Sequence, residues 1–118
     1  MKIVYSHPKC TTCKKALKWL DDHQISYQLK DIREERPSAK EFLAIQKRLE
    51  LPIKKMFNTS GMMYRELQLK DKLAEMSPTE ATELLAKEGM LVKRPLMVEG
   101  DVATFGFKED TYQQIWGK

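Results

Sequence analysis

The two cysteines of this chain, Cys10 and Cys13, lie three residues apart in the run Cys-Thr-Thr-Cys. Two thiols at this spacing can perform thiol–disulfide exchange, in which one sulfur attacks a substrate and the other displaces it. They could also bind zinc with His7 as a third ligand, and His23 would then have to supply the fourth. With a rise of about 1.5 Å per residue, His23 lies about 20 Å from the start of the predicted helix. We therefore favour redox chemistry and expect no bound metal.

The sequence around the pair predicts a strand followed by a helix. Residues 3–5 form a short apolar run typical of a buried strand, and the apolar positions that follow recur at the spacing of one helix face. These positions are Cys13, Ala16, Leu17 and Leu20. Cys10 then falls at or just before the first helical turn, where unpaired N–H groups and the helix dipole favour a thiolate over a thiol.

These positions assign different roles to the two sulfurs. Cys10 is the predicted nucleophile, and the neighbouring Lys9 adds positive charge that favours its ionised form. Cys13, about one turn further along, is the predicted resolving thiol. Thr11 and Thr12, which separate the cysteines, carry no charge.

Composition limits the classes of protein to consider. A chain of 118 residues, 42% of them hydrophobic, is long enough for one packed domain and short for two. We find no stretch of transmembrane length and no signal-peptide pattern, so we expect a cytoplasmic protein that makes no membrane contact. In that reducing compartment a lone cysteine pair fits catalysis better than a structural disulfide. The 21 basic and 17 acidic residues are interleaved, so direct nucleic-acid binding is not indicated.

The order of predicted elements indicates the fold. The helix from Thr11 to His23, with Trp19 on its shoulder, is followed by an alternating segment from Ile25 to Ile32 that predicts a second strand, parallel to the first. Two capping boxes, Ser38 with Glu41 and Ser77 with Glu80, begin later helices. Residues from about 36 to 90 therefore read as an all-α insert.

The last part of the chain predicts a β-hairpin and a helix. Leu91 to Val98 reads as a strand interrupted by Pro95, and a turn leads from it into Val102 to Phe105. A final helix covers Lys108 to Trp116. The whole order predicts an α/β protein with a thioredoxin-like, or glutaredoxin-like, four-stranded mixed sheet flanked by helices. We expect a single domain over residues 1–118 that includes the helical insert.

Arg94 and Pro95 form the second predicted element of the site. In a thioredoxin-like layout they lie beside the cysteine-bearing helix start. A cis Arg94–Pro95 bond would leave the neighbouring backbone free to pair with an extended substrate, whereas a trans bond would indicate an ordinary edge proline; the sequence allows both. Arg94 could favour the thiolate and bind an oxyanion or carboxylate bidentately, or could be a plain surface charge.

Four spaced motifs resemble the glutaredoxin-coupled arsenate reductase family, which also contains the Spx transcriptional regulators. The motifs are YSHPKCTTCKKA at 5–16, FNTSG at 57–61, YREL at 64–67 and KRPLMV at 93–98. The resemblance implies a thioredoxin-like fold with a helical insert. It also implies that Cys10 corresponds to the cysteine that attacks arsenate, with glutathione as a co-substrate and glutaredoxin completing the reduction to arsenite.

The resemblance further implies three arginines around the oxyanion, and here only Arg94 matches one of them. Asn58 stands at the second position, and the third falls near Phe107. Each missing guanidinium could have supplied a contact of about 1.5 to 3 kcal/mol, which weighs against efficient arsenate binding. The single-cysteine arsenate reductases also have no thiol at the position of Cys13. The Spx regulators and an arsenate-reductase-like branch resemble this chain in carrying Cys-x-x-Cys.

Two functional hypotheses follow. The first is an arsenate-reductase-like thiol–disulfide oxidoreductase that needs no bound cofactor and takes glutaredoxin, thioredoxin or glutathione as its reductant. The alternative is an Spx-type redox-sensing regulator that binds RNA polymerase and uses a Cys10–Cys13 disulfide as its switch. The predicted catalytic residues are Cys10, Cys13 and Arg94. The predicted substrate-binding residues are Lys9, Thr11, Thr12, Asn58 and Pro95.

Overall fold

A computed structural model describes residues 1–117 and contains one mixed sheet with strand order β2-β1-β3-β4. The strands are β1 (Ile3–Ser6), β2 (Gln28–Asp31), β3 (Leu96–Glu99) and β4 (Val102–Phe105). Strand β1 is parallel to β2 and antiparallel to β3, and β3 is antiparallel to β4. The predicted thioredoxin-like α/β fold is confirmed.

Six α-helices accompany the sheet over the described residues. They are α1 (Thr11–Asp22), α2 (Ala39–Leu49), α3 (Met62–Glu66), α4 (Leu69–Lys72), α5 (Pro78–Lys87) and α6 (Glu109–Ile115). Helix α1 connects the two parallel strands, α2 to α5 form the segment between β2 and β3, and α6 follows β4. Within residues 1–117 no helix has the length and apolar character needed to cross a bilayer.

Helices α2 and α5 begin at the capping boxes that the sequence predicts. The Ser38 hydroxyl accepts the N–H of Glu41, and the Glu41 carboxylate accepts the N–H of Ser38. Ser77 and Glu80 form the same reciprocal pair. Each box satisfies two N–H groups that a helix start otherwise leaves unpaired, which is why these boundaries can be read locally.

The two faces of the sheet contact different helices, because neighbouring strand residues point to opposite sides. Val4 and Met97 point to the face covered by α1 and α6, where they pack with Ala16, Trp19, Leu20, Tyr112 and Trp116. Tyr5, Leu96 and Ala103 point to the other face and share a core with the helices between β2 and β3. The sheet therefore packs directly against the inserted helices on that face.

Three local predictions were wrong. Strand β2 begins at Gln28, three residues later than predicted, and Leu29 on it is 54% exposed because β2 is an edge strand. Residues 91–95 do not continue β3: a 3₁₀ turn covers Gly89–Leu91, and Val92 forms an isolated bridge with Phe57. Trp19 is buried, since it packs edge-on against Tyr112 of α6, at 5.5 Å between ring centroids.

Candidate active site

Cys10 is the N-cap residue of α1, in an extended backbone conformation. Its N–H donates to the carbonyl of His7 at 3.0 Å, and its own carbonyl accepts the N–H of Lys14 at 3.1 Å. Its Sγ accepts the N–H of Cys13, also at 3.1 Å. The sulfur thus takes the place of the side-chain oxygen in an ordinary N-cap, and the donated N–H stabilises negative charge on it.

Cys13 differs from Cys10 in its exposure. Both are free thiols, but Cys10 is half-buried whereas Cys13 is only 1% exposed. Burial, and secondarily a hydrogen bond with the Cys10 side chain, raise the pKa of the Cys13 thiol. A reagent in solvent therefore meets Cys10 first, with Cys13 one helical turn behind it.

Arg94 lies near both thiols, and its guanidinium has unused hydrogen-bonding capacity. Its Nη1 contacts the Sδ of Met90 at 3.3 Å, while its buried Nε has no hydrogen-bond partner among the described residues. Its positive charge offsets part of the rise in the pKa of Cys13. The following Pro95 is buried, and the Arg94–Pro95 peptide bond is cis. This buried donor of Arg94 is therefore unused in the described part of the chain.

A groove of about 700 Å³ connects several of the predicted site residues. Cys10, Thr12, Asn58 and Arg94 line it. Lys9, Thr11 and Pro95 are not among its described lining residues, because Lys9 and Thr11 are exposed to solvent elsewhere and Pro95 is buried. The structure therefore gathers four of the eight predicted residues around one opening, whereas the buried Cys13 is not among the residues that line it.

Three further cations line the groove and were missed by sequence reasoning: Lys55, Lys93 and Lys108. Together with Arg94 they make four positive charges, and none of the described lining residues is a carboxylate. They come from three separate parts of the chain, so no local motif groups them. The adjacency of Lys93 to Arg94 was the one available signal.

Asn58 and Phe107 stand at or near two positions for which the resemblance implies arginines, and both make other contacts. The N–H of Asn58 donates to the carbonyl of Leu91 at 2.8 Å, and its carbonyl accepts the N–H of Gly61 at 3.1 Å, which fixes this turn. Phe107 packs edge-on against Tyr112 at 4.7 Å between ring centroids. An amide and an aromatic ring thus line the groove where guanidinium groups would hold an oxyanion.

His7 does not complete a metal site. Its Nδ1 accepts the N–H of Lys9 at 3.1 Å. Partial burial and the positive charges of Arg33 and Arg94 lower its pKa, so the ring is neutral near pH 7. Within residues 1–117 no three His, Cys, Asp or Glu side chains gather as metal ligands would, so the zinc alternative lacks a ligand set there.

The mixed sheet, the Cys-x-x-Cys at the start of α1 and the adjacent proline define a thioredoxin-like protein with a dithiol pair. The ArsC family model matches residues 5–115, so the chain belongs to the ArsC family. It is similar to the uncharacterized protein YusI of Bacillus subtilis, with 51% identity over 112 residues and 95% of each chain covered. The family predicted from the motifs is confirmed.

Two other relatives represent the two functional hypotheses. The crystal structure of a possible arsenate reductase from Streptococcus mutans is 43% identical, has a TM-score of 0.88 and matches over 92% of each chain. The global transcriptional regulator Spx of Enterococcus faecalis is 29% identical over 115 residues, which cover 98% of this chain and 86% of its own. The proteins similar to this chain therefore include a named regulator as well as a possible arsenate reductase.

Proposed function

We propose that this protein is a thiol–disulfide oxidoreductase of the arsenate-reductase-like type, with Cys10 as the nucleophile and Cys13 as the resolving thiol. The observation that carries the proposal is the N-cap geometry, in which Cys10 opens to the groove and its Sγ accepts the Cys13 N–H at 3.1 Å. A hydrogen-bonded, accessible sulfur with a buried thiol behind it is the arrangement that two-step exchange requires.

The proposed reaction begins when the Cys10 thiolate attacks one sulfur of a substrate disulfide. A mixed disulfide forms, and the other substrate sulfur leaves as a thiolate that takes up a proton. Cys13 then gives its proton to solvent and attacks the Cys10 Sγ, which releases the second substrate thiol. The substrate gains two electrons, and the protein is left with a Cys10–Cys13 disulfide.

A thiol reductant must then return the protein to its starting state. Glutaredoxin, thioredoxin or glutathione would do so by the reverse exchange, with their thiols becoming the new disulfide. The cytoplasm, where such reductants keep cysteines reduced, is the compartment in which we expect the cycle to run. No metal or organic cofactor enters these steps.

The groove favours a disulfide over arsenate as the substrate. Arg94 is the single guanidinium among the described lining residues, and Asn58 and Phe107 supply no charge. The three lysines of the groove supply point charges but not the paired N–H donors of a guanidinium, so an oxyanion lacks two bidentate contacts worth about 1.5 to 3 kcal/mol each. A disulfide needs only an accessible path to the Cys10 sulfur.

A second candidate is a redox-sensing regulator. It is supported by the Spx relatives, which match along almost the whole chain. In that case the Cys10–Cys13 disulfide would act as a switch and RNA polymerase would be the partner. The same pair of thiols serves both candidates, so only a functional measurement separates them.

The test compares two turnover assays on purified protein. Glutathione- and glutaredoxin-dependent arsenate reduction is measured beside reduction of a small disulfide, for the unmodified chain and for Cys10→Ser, Cys13→Ser and an exposed control, Ser26→Ala. We expect disulfide turnover that both cysteine substitutions abolish, and a stable mixed disulfide with Cys10 in Cys13→Ser. Arsenate turnover that persists without Cys13 would contradict the dithiol mechanism. Inactivity in both assays, with tight binding to RNA polymerase, would establish the regulator instead.

A further inference from the structure

Strand β4 forms an open edge of the sheet. Among the described residues it pairs only with β3, and the N–H of Gly106 donates to the carbonyl of Pro95 at 2.9 Å. In an antiparallel ladder, residues alternate between bonding to the neighbouring strand and pointing away from it. Counting back from Gly106, the N–H and C=O groups of Phe105 and Ala103 therefore point away from β3. They form a short row of unused donors and acceptors.

The groove next to Cys10 continues along this edge. Its lining includes Ala103, Thr104 and Phe105 in sequence, with apolar side chains from the helices on either side. Leu49, at the end of α2, is 37% exposed, and Ile115, at the end of α6, is 39% exposed. An added strand would thus find main-chain partners along β4 and an apolar contact on each of its faces.

The charge of the groove indicates what kind of strand fits. Lys55, Lys93 and Lys108 line it, and none of the three forms an ion pair with a described residue. The stem of Lys93 lies against the backbone of Gly106, where an added Cβ would come within 2.8 Å of its Cε. This packing holds one cation beside the end of β4.

We propose that β4 is a docking edge that takes up an extended, acidic segment of a partner protein as a fifth strand. Carboxylates of that segment pair with the three lysines, and its backbone bonds to Ala103 and Phe105. A second copy of this chain is the poorer occupant, because pairing two β4 edges would bring two sets of lysines together. If the bound partner segment continues past Gly106, it reaches Arg94 and Cys10. A role for Cys10 in reacting with that segment rests on the proposed function.

Binding can be tested without any thiol chemistry. The protein used is the full chain with both Cys10→Ser and Cys13→Ser. The probe is an acetylated peptide of about ten residues that alternates Glu with Val and contains no cysteine. At low ionic strength we expect the peptide to bind and to slow hydrogen exchange at the Ala103 and Phe105 amides. The same peptide with Lys in place of Glu should bind at least about tenfold more weakly.

Matched variants separate charge from backbone pairing. Lys55→Gln and Lys108→Gln should each weaken binding about two- to fivefold, whereas the remote, exposed Lys72→Gln should not. Ala103→Pro removes an outward N–H without removing a bond to β3, and should abolish binding. If that variant fails to fold, backbone pairing is tested instead by hydrogen exchange at the Phe105 amide of the double Cys→Ser protein, which should slow when the peptide binds.

Three outcomes would overturn the inference. The acidic and basic peptides could bind equally, or binding could leave the Ala103 and Phe105 amides unprotected. The chain alone could also dimerise with those amides protected, which would assign the edge to a second copy. Because the cysteines are replaced, none of these outcomes bears on thiol exchange. Conversely, if the unmodified chain showed no thiol–disulfide exchange activity, the peptide-binding measurements would still test the docking edge.

Discussion

The backbone N–H of Cys13 donates to the Sγ of Cys10 at 3.1 Å. This bond makes the Cys10 sulfur part of the helix cap, and it holds that sulfur at the mouth of the groove while Cys13 stays in the packed interior. One residue therefore serves both the stability of α1 and the chemistry proposed for the site.

The cap should be measurable as stability. Cys10→Ser keeps a side-chain acceptor for the Cys13 N–H, whereas Cys10→Ala removes it. We expect the free energy of unfolding of the alanine variant to be about 1 kcal/mol lower than that of the serine variant. Urea denaturation under reducing conditions provides the measurement. Equal stabilities would show that the sulfur is not acting as a cap.

The two thiols should react with alkylating reagents at very different rates. Iodoacetamide should modify Cys10 on the order of a hundredfold faster than Cys13, because Cys13 is buried and burial raises its pKa. Peptide mass spectrometry over a time course at about pH 8 follows the alkylation of both cysteines. The same measurement on urea-unfolded protein gives the alkylation rates of the two thiols when neither is buried. Similar rates in the folded protein would contradict the burial of Cys13.

The raised pKa of Cys13 predicts alkaline loss of stability. Above the ordinary cysteine pKa of about 8.5 the unfolded chain releases this proton, whereas the folded chain keeps it. The free energy of unfolding therefore falls as pH rises, by at most about 1.4 kcal/mol per pH unit.

Cys13→Ala should remove this part of the pH dependence. The comparison is made by urea denaturation from about pH 8 to 11 in the presence of a reductant. Three tyrosines with raised pKa values, Tyr5, Tyr27 and Tyr112, are present in both proteins. The contributions of Tyr5 and Tyr27 cancel in the difference. Burial is the main cause of the raised pKa of Tyr112 and the charge of Cys13 adds a smaller part, so the contribution of Tyr112 cancels except for that part. Parallel stability profiles would contradict the prediction.

Gly89 should tolerate no side chain. A Cβ at this position would collide with the carbonyl oxygen of Ile32, and the side chain of Arg36 closes the remaining space. We expect Gly89→Ala to lower the free energy of unfolding by about 2 to 4 kcal/mol. Gly100→Asn is the control, since Gly100 has a φ of +55°, nothing lies within 4 Å of its Cβ position, and asparagine tolerates that backbone. A smaller loss for Gly89→Ala than for the control would refute this.

Arg36 should stabilise the junction between the end of β2 and the end of α5. Its guanidinium donates at 2.7 to 3.2 Å to four backbone carbonyls, those of Ile32, Arg33, Ala86 and Lys87. Arg36→Met keeps most of the side-chain stem but leaves these carbonyls without their donor, so we expect a loss of about 2 to 3 kcal/mol.

A second arginine provides the matched control for this measurement. Arg48 makes a single exposed ion pair with Asp101 at 3.4 Å, so Arg48→Met should cost less than about 1 kcal/mol. Thermal or urea denaturation of both variants gives the comparison. Equal losses would mean that the carbonyl contacts of Arg36 add nothing to stability.

Features that depend on neighbouring residues were predictable from the sequence. The capping boxes at Ser38 and Ser77 are complete within four residues each, and the structure shows both. The position of Cys10 at the start of α1 follows in the same way from the apolar spacing of that helix. The order of strands and helices then limits the topology to a mixed sheet, because short connections and right-handed crossovers leave few arrangements.

What the sequence alone determined about this protein is therefore the fold class, which follows from the order of the elements, together with the helix starts and the position of Cys10. The helix starts and the position of Cys10 depend on residues within a few positions of one another. Only the tertiary structure decided that Trp19 is buried, because α6 arrives from some 90 residues later to cover it. It also decided that Leu29 stays exposed and that Lys55, Lys93 and Lys108 meet beside Cys10. Such features depend on which distant surfaces pack together, and no local spacing records that.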